Sequence, residues 1–222
     1  MSEHPIIVET GTNPPDSCVI WLHGLGADGR DFESIVEQFN FPQDLSIRFI
    51  FPNAPMQAVT INQGFVMRSW YDITTRDICS EQDESGIRHS QQTVEQLIQQ
   101  QMDAGIPSTR IILAGFSQGG VVVLQTALRS QHQLAGVMAL STYLSLDDSL
   151  AAEKTQQNQN IPIFLAHGSA DPVIEIKWAY QTHATLIREQ YKVEWNEYSG
   201  MPHSVSLQEI EDINLWLTQQ LA

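Results

Sequence analysis

Ser117 stands in Gly115-Phe116-Ser117-Gln118-Gly119-Gly120, between the apolar run Ile111 to Ala114 and the helix-forming run Val121 to Leu124. A serine with glycines two residues to either side, at a strand-to-helix junction, is the pattern of a nucleophile elbow. The chain must turn there through a strained backbone that leaves no room for neighbouring β-carbons, and the turn lifts the hydroxyl clear of the sheet. The helix after it directs unpaired N–H groups and its positive dipole end toward Ser117, which favours the negative charge developed in acyl transfer. The spacing therefore predicts attack by the Ser117 hydroxyl on an acyl carbon.

Such a serine needs a base to take its proton and an acid to orient the base. In this architecture the partners come in the order Ser…Asp/Glu…His, at the ends of later strands. Ile161 to His167 reads as a buried strand, and Gly168-Ser169-Ala170-Asp171-Pro172 is the turn after it, so Asp171 is the expected acid. Asp147 and Asp148 are paired in a polar loop, Glu153 lies in a Gln/Asn-rich stretch, and Glu189 falls on the polar side of a helical pattern. His203, in Ser199-Gly200-Met201-Pro202-His203-Ser204 between the strand Tyr191 to Tyr198 and the closing helix, is the expected base. Its competitor His183 shares helical register with Ile176, Tyr180 and Ile187, the position of a packed helix residue.

An oxyanion hole would use the N–H of the residue after the nucleophile, Gln118, and one from the loop after an early strand. Ser17 to Leu22 reads as that strand and His23-Gly24-Leu25-Gly26 as the loop, with glycines on both sides of Leu25 freeing its amide to turn inward. Gly24-Leu25-Gly26-Ala27-Asp28-Gly29 is also a formal dinucleotide fingerprint. That reading needs an acidic residue at the far end of the next strand to hold a ribose. Asp44 precedes the strand Ser46 to Phe51, and the far end carries Pro52-Asn53 instead. His23 is better read as fastening the loop by hydrogen bonds.

His23-Gly24-Leu25-Gly26, Arg68-Ser69-Trp70-Tyr71-Asp72, the Gly115 to Gly120 elbow, His167-Gly168 with Asp171, and Pro202-His203 together resemble the phospholipase/carboxylesterase family, which includes the acyl-protein thioesterases. The resemblance runs over nearly the whole chain. It implies a Ser-His-Asp esterase of minimal α/β-hydrolase form without a large lid domain, with Ser117, Asp171 and His203 as triad and Leu25 and Gln118 as oxyanion donors. Ser141-Thr142-Tyr143-Leu144 departs from the Trp-containing version common in relatives.

The elements that must position these residues alternate along the chain. Strands are expected at Ile6 to Glu9, Cys18 to Leu22, Ser46 to Phe51, Arg110 to Ala114, Leu134 to Leu140, Ile161 to Ala166 and Val193 to Tyr198. This alternation predicts an α/β fold, a mostly parallel central sheet with helices on both faces, and one domain over residues 1–222. Phe32, Ile35, Val36 and Phe39 have the spacing of one helix face. So do Val94, Leu97, Ile98 and Met102, ahead of the stop signal Gly105-Ile106-Pro107. Leu207, Ile210, Ile213 and Leu217 give the closing helix a core stripe.

The segment Asn53 to Glu84 breaks the regularity. It mixes Val59, Ile61, Phe65, Val66, Met67 and Trp70 with turn residues, and loops of this length in a compact domain are usually functional. Phe65, Met67 and Trp70 are the expected lining of an acyl groove beside Ser117, with Tyr143 and Val173 as further candidates. Trp70 and Tyr71 have an equal reading as pins of the loop to the core. An exposed apolar patch here would also suit a lipidated partner.

Composition narrows the function. The formal charge is −15, with acids spread along all 222 residues, a field that repels nucleic acid and anionic bilayers. A chain of this size buries roughly 70% of its unfolded surface and needs no disulfide. Cys18 lies in a strand and Cys79 in a polar loop, with no ligand-spaced His or Cys cluster, so no metal or cofactor is expected. The start Met1 to Pro5 lacks a cationic or long apolar segment and no run approaches a membrane span, which makes a cytoplasmic enzyme without stable membrane insertion the expectation. The expected reaction is hydrolysis of small acyl esters, lysolipids or acylated proteins through an acyl-enzyme. A catalytically silent acyl-binding scaffold, or an acyltransferase that uses a nucleophile other than water, is the alternative.

Overall fold

The structure, a computed structural model, describes residues 4–75 and 82–222. Cys79 and part of the Asn53 to Glu84 segment lie outside the described residues. Seven strands form the central sheet: β1 (Ile6–Glu9), β2 (Ser17–Leu22), β3 (Ile47–Phe51), β6 (Ile111–Phe116), β7 (Gly136–Leu140), β8 (Ile163–Gly168) and β9 (Val193–Tyr198). Their spatial order is β1-β3-β2-β6-β7-β8-β9, with β1 antiparallel to β3 and every other neighbour pair parallel. Two further strands, β4 (Met56–Val59) and β5 (Phe65–Arg68), pair as a separate antiparallel hairpin.

The central strands are apolar on both faces because both are covered. Cys18, Ile20 and Leu22 of β2 join one core cluster, whereas Val19 and Trp21 join the other. On the first side pack α1 (Glu84–Asp103), α2 (Gln118–Arg129) and α4 (Ile176–Arg188); on the second packs α5 (Leu207–Leu221). A short helix α3 (Asp147–Glu153) docks through Leu150, and its Glu153 holds the buried Arg129 at 2.6 Å. This is the α/β-hydrolase fold. No described helix is long and apolar enough to cross a membrane.

Each expected strand is present, with ends shifted by up to two residues. The run Phe32 to Phe39 differs: it forms a 3-10 helix, Glu33–Gln38, rather than an α-helix. Its N-cap Phe32 supplies no side-chain bond and the chain is already extended at Phe39, leaving too few residues to propagate an α-helix. The expected stripe of α5 holds at Ile213 and Leu217, which are buried, and at Ile210, which packs partly buried on the same core; Leu207 is exposed, and Glu209, Trp216 and Leu221 are buried besides. The hairpin β4–β5 is a feature the periodicity did not separate from loop.

Glu209 is the anomaly in this core. Ser206 caps α5 by accepting the Glu209 N–H at 3.2 Å, and the Ser206 N–H faces the Glu209 carboxyl in return, but neither carboxyl oxygen has a well-formed hydrogen bond among the described residues. Burial, with Asp212 adding to it, pushes the Glu209 carboxyl up to about 8, against the ordinary value near 4.5. Because the folded value is raised, the proton stabilises the fold fully below the unfolded pKa of about 4.3, and that contribution is lost as pH rises to about 8. Glu209→Gln is expected to stabilise the protein by about 1–3 kcal/mol at pH 9, with the gain shrinking toward pH 5. Thermal melts of parent and variant across that range check it; a pH-independent difference would contradict the buried-acid account.

Candidate active site

The parallel run β6-β7-β8-β9 delivers four loops to one edge of the sheet, and β2, the neighbour of β6, delivers a fifth. Ser117 comes directly after β6, with φ 54° and ψ −119°, a conformation that L-residues rarely occupy. Its N–H donates to the Leu140 carbonyl at 2.9 Å, and its own carbonyl accepts from Thr142 Oγ1 at 2.7 Å. The flanking glycines are sterically required. A β-carbon on Gly115 would fall 2.4 Å from the Gly119 backbone, and one on Gly119 would fall 2.5 Å from the Leu22 carbonyl oxygen.

His203, on the turn between β9 and α5, places Nε2 2.9 Å from Ser117 Oγ. Its Nδ1 lies 2.6 Å from Asp171 Oδ2. Asp171 sits in the turn after β8, where its other oxygen, Oδ1, accepts from the Val173 and Ile174 amides at 2.8 and 2.9 Å. Burial works to raise the Asp171 carboxyl, but the hydrogen bonds from His203, Ile174 and Val173 outweigh it, and the group ends below the ordinary Asp range. A permanent carboxylate thus faces Nδ1, so Nδ1 carries the ring proton and Nε2 is free to accept from Ser117. The Phe116 ring packs on the imidazole at 4.7 Å.

The rival groups are placed elsewhere. Asp147 and Asp148 open α3, Glu153 is paired with Arg129 and Arg88, and Glu189 is paired with Lys154. His183, on α4, packs against Trp195.

The loop after β2 lies against the elbow: a β-carbon on Gly24 would touch the Ser117 side chain at 3.4 Å. His23 is buried and fastens this loop. Its Nε2 accepts the Ala54 N–H at 3.1 Å, which leaves Nδ1 to donate to the Gly24 carbonyl at 2.7 Å. Burial lowers its pKa, in keeping with this neutral form. Among the described residues, no backbone carbonyl outside regular helix and strand bonding accepts from the Leu25 or Gln118 N–H. The helical turn between β2 and β3 is 3-10 in form, not an α-helix whose N-terminus could face a phosphate.

Of the expected acyl-binding side chains, Phe65 and Val173 are 68% and 63% exposed, and Met67 sets its sulfur 3.6 Å from where a β-carbon on Gly26 would lie. Trp70 is only 2% exposed, and its indole N–H donates to the His23 carbonyl at 2.9 Å, the geometry of a loop pin. Tyr143 is buried, with its hydroxyl 3.1 Å from that of Tyr71. Three contributors have no role assigned to them from sequence, although Phe116 and His167 lie within motifs named above. Thr142 holds the elbow carbonyl, Phe116 supports the imidazole, and His167 donates through Nε2 to the Ile174 carbonyl at 2.8 Å, bracing the turn that bears Asp171. Beyond those motifs, their signal in sequence is a position at or near a strand end.

A model of the phospholipase/carboxylesterase family matches residues 3–221. The chain is 40% identical over 207 residues to an acyl-protein thioesterase 1 from Yarrowia lipolytica, covering 91% of each chain. It is 42% identical over 211 residues to one from Neurospora crassa, covering 91% of this chain and 86% of the relative. Among solved structures, Arabidopsis thaliana SOBER1 superimposes with a TM-score of 0.88 at 29% identity, covering 93% of this chain and 99% of that one.

Asp171→Asn tests the acid. The Val173 and Ile174 amides hold the side-chain oxygen, so the new NH2 would face Nδ1 and force the wrong tautomer. The expected result is a loss of roughly 10⁴ in kcat with melting temperature little changed. A loss under tenfold in a folded variant would remove Asp171 from that role.

Proposed function

This chain belongs to the phospholipase/carboxylesterase family and is a serine hydrolase; from that premise we propose that it cleaves carboxylic thioesters and esters, S-acylated proteins among the substrates, through an acyl-enzyme on Ser117. The observation that carries the reading is the continuous hydrogen-bonded line from Ser117 Oγ through His203 to Asp171, at 2.9 and 2.6 Å. The relatives' names as acyl-protein thioesterases support the substrate class.

In the proposed cycle Ser117 Oγ attacks the acyl carbon while His203 Nε2 takes the hydroxyl proton. The charge that gathers on the acyl oxygen is met by the Leu25 and Gln118 N–H groups. Collapse breaks the bond from acyl carbon to sulfur or oxygen, and His203 returns its proton to the departing thiolate or alkoxide. Water then repeats the sequence on the acyl-enzyme, freeing the acid and restoring Ser117. Asp171 stays ionised throughout and stabilises the imidazolium. Met67, whose sulfur lies against Gly26 of the β2 loop, and the exposed Val173, which follows Asp171, are the apolar side chains that would receive the acyl chain. A cytoplasmic location belongs to the same reading, supported by the free buried thiol of Cys18.

A fluorophosphonate probe is expected to label the parent but not Ser117→Ala, and the variant is expected to lose roughly 10⁶ in kcat. Residual turnover within tenfold of the parent would overturn the assignment. Selectivity is a separate test. Each acyl methylene buried on this surface is expected to raise kcat/KM by up to about fourfold, from about 0.8 kcal/mol per CH2. Phe65→Ser or Met67→Ser is then expected to weaken long-chain esters while sparing acetate esters. Equal losses at every length from C2 to C12 would make the hairpin structural only.

A further inference from the structure

Gln118 presents two different groups to its surroundings. Its backbone N–H comes just after the nucleophile, whereas its side chain turns away from solvent and is 2% exposed. There Oε1 accepts the Trp70 N–H at 2.8 Å, and Nε2 donates to the Tyr71 carbonyl at 2.7 Å and to Ser69 Oγ at 3.0 Å. The segment so gripped is bonded in turn to the loop after β2 on both sides of Leu25. The Trp70 indole N–H holds the His23 carbonyl at 2.9 Å, and the Arg68 carbonyl accepts the Gly26 N–H at 2.8 Å. The strut has no slack elsewhere: the Ser69 N–H donates to the Pro55 carbonyl at 3.0 Å, the Ser69 carbonyl accepts from Gln57, and the Trp70 carbonyl accepts from Ser90 Oγ.

We infer that the Gln118 carboxamide is a positioning residue that ties the two halves of the oxyanion hole together, fixing the Leu25 N–H relative to the Gln118 N–H through residues 68–71. Only a side chain with one acceptor and one donor on a single edge satisfies both the Trp70 N–H and the Tyr71 carbonyl. Glutamate offers the acceptor but sets a carboxylate against the carbonyl; methionine fills the space and offers neither. Because donors must meet the oxyanion at 2.7–3.1 Å, a loosened strut costs transition-state binding more than substrate binding. The inference rests on the proposed roles of Leu25 and Gln118.

The test measures kcat and KM separately on p-nitrophenyl butyrate for the full chain, with melting temperatures alongside. The variants are Gln118→Met, Gln118→Glu, Trp70→Phe and the double variant Gln118→Met/Trp70→Phe. Gln118→Met is expected to lose about 10- to 100-fold in kcat with KM within about twofold. Gln118→Glu is expected to be as poor at pH 8, but to regain several-fold relative to the parent at equal pH as the assay falls toward pH 5.5, where a protonated carboxyl recovers the donor. The links act in series, so the double variant is expected to lose no more than the worse single one. A kcat for Gln118→Met within twofold of the parent, or losses that multiply in the double variant, would overturn the inference. Should Gln118→Met fail to fold, Trp70→Phe together with the pH response of Gln118→Glu decides it. Turnover that survives Ser117→Ala would instead strike the proposed nucleophile, and that result is separable because each Gln118 variant is scored against its own parent.

Discussion

The backbone of Ser117 is the constraint around which the rest is arranged. At φ 54° it holds a non-glycine residue in a sparsely populated region, at a cost of order 1–3 kcal/mol. The conformation persists because its surroundings leave no other. Both backbone groups of Ser117 are taken, the N–H by the Leu140 carbonyl and the carbonyl by the Thr142 hydroxyl and the Val121 N–H, so relaxation would break three hydrogen bonds. The helix behind it is also immovable, since every residue of α2 is buried. Glycine at 115, 119 and 120 is a consequence of this packing: a β-carbon at 120 would lie 2.6 Å from the Thr142 side chain. Thr142 thus fixes the elbow through a hydrogen bond and, through its methyl, demands the glycine opposite.

Once the elbow is set, the order of the sheet does the assembling. Asp171 and His203 come from loops after β8 and β9, far from Ser117 in sequence, yet parallel pairing puts all three loops at one edge. Electrostatics then fixes the direction of proton flow. Two backbone amides and His203 hold the Asp171 carboxyl low against its burial, whereas Glu209, more deeply buried and with only the Ser206 N–H facing it, is pushed up to about 8. Depth of burial and the donors that face the carboxylate together decide its charge.

Much of this was legible because it is written in local chemistry. The elbow needs small residues at fixed offsets, and the apolar runs of β2, β6 and β8 are what strands covered on both faces require. Asp171 and His203 were legible by elimination, as the polar residues standing directly after strand ends. What was hidden depends on three-dimensional contact. The turn of the β4–β5 hairpin is a 3-10 helix, Thr60–Asn62, ended by left-handed Gln63 and Gly64 rather than by a two-residue Asn-Gly signal. Its strands, Met56-Gln57-Ala58-Val59 and Phe65-Val66-Met67-Arg68, are four residues each and do not alternate cleanly. The α5 stripe missed Glu209, a charge-bearing side chain at a core position, which no hydrophobic pattern assigns inward. Trp70 had two equal readings in sequence, and only its hydrogen bond to His23 shows it spent on the loop.

The hairpin separates two jobs that a single loop would confuse. Val59, beside the turn, is fully buried, Thr60 and Ile61 of the turn bond to Asp72 and Ile73, and Ser69 to Tyr71, just past β5, are bonded into the elbow and the β2 loop, so the hairpin is anchored at both its turn and its exit. Between these anchors Met56, Phe65 and Val66 are more than half exposed. That exposure does nothing for folding, because apolar surface left in water forgoes about 25 cal/mol per Å² of stabilisation. On the proposed function, an anchored hairpin with uncovered apolar side chains offers that surface to the substrate while the segment bonded to the elbow stays in place. On that reading, acyl-chain selectivity varies with residues 56–67 while the proposed chemistry depends on the elbow and on residues 68–71, which the Gln118 side chain holds to it.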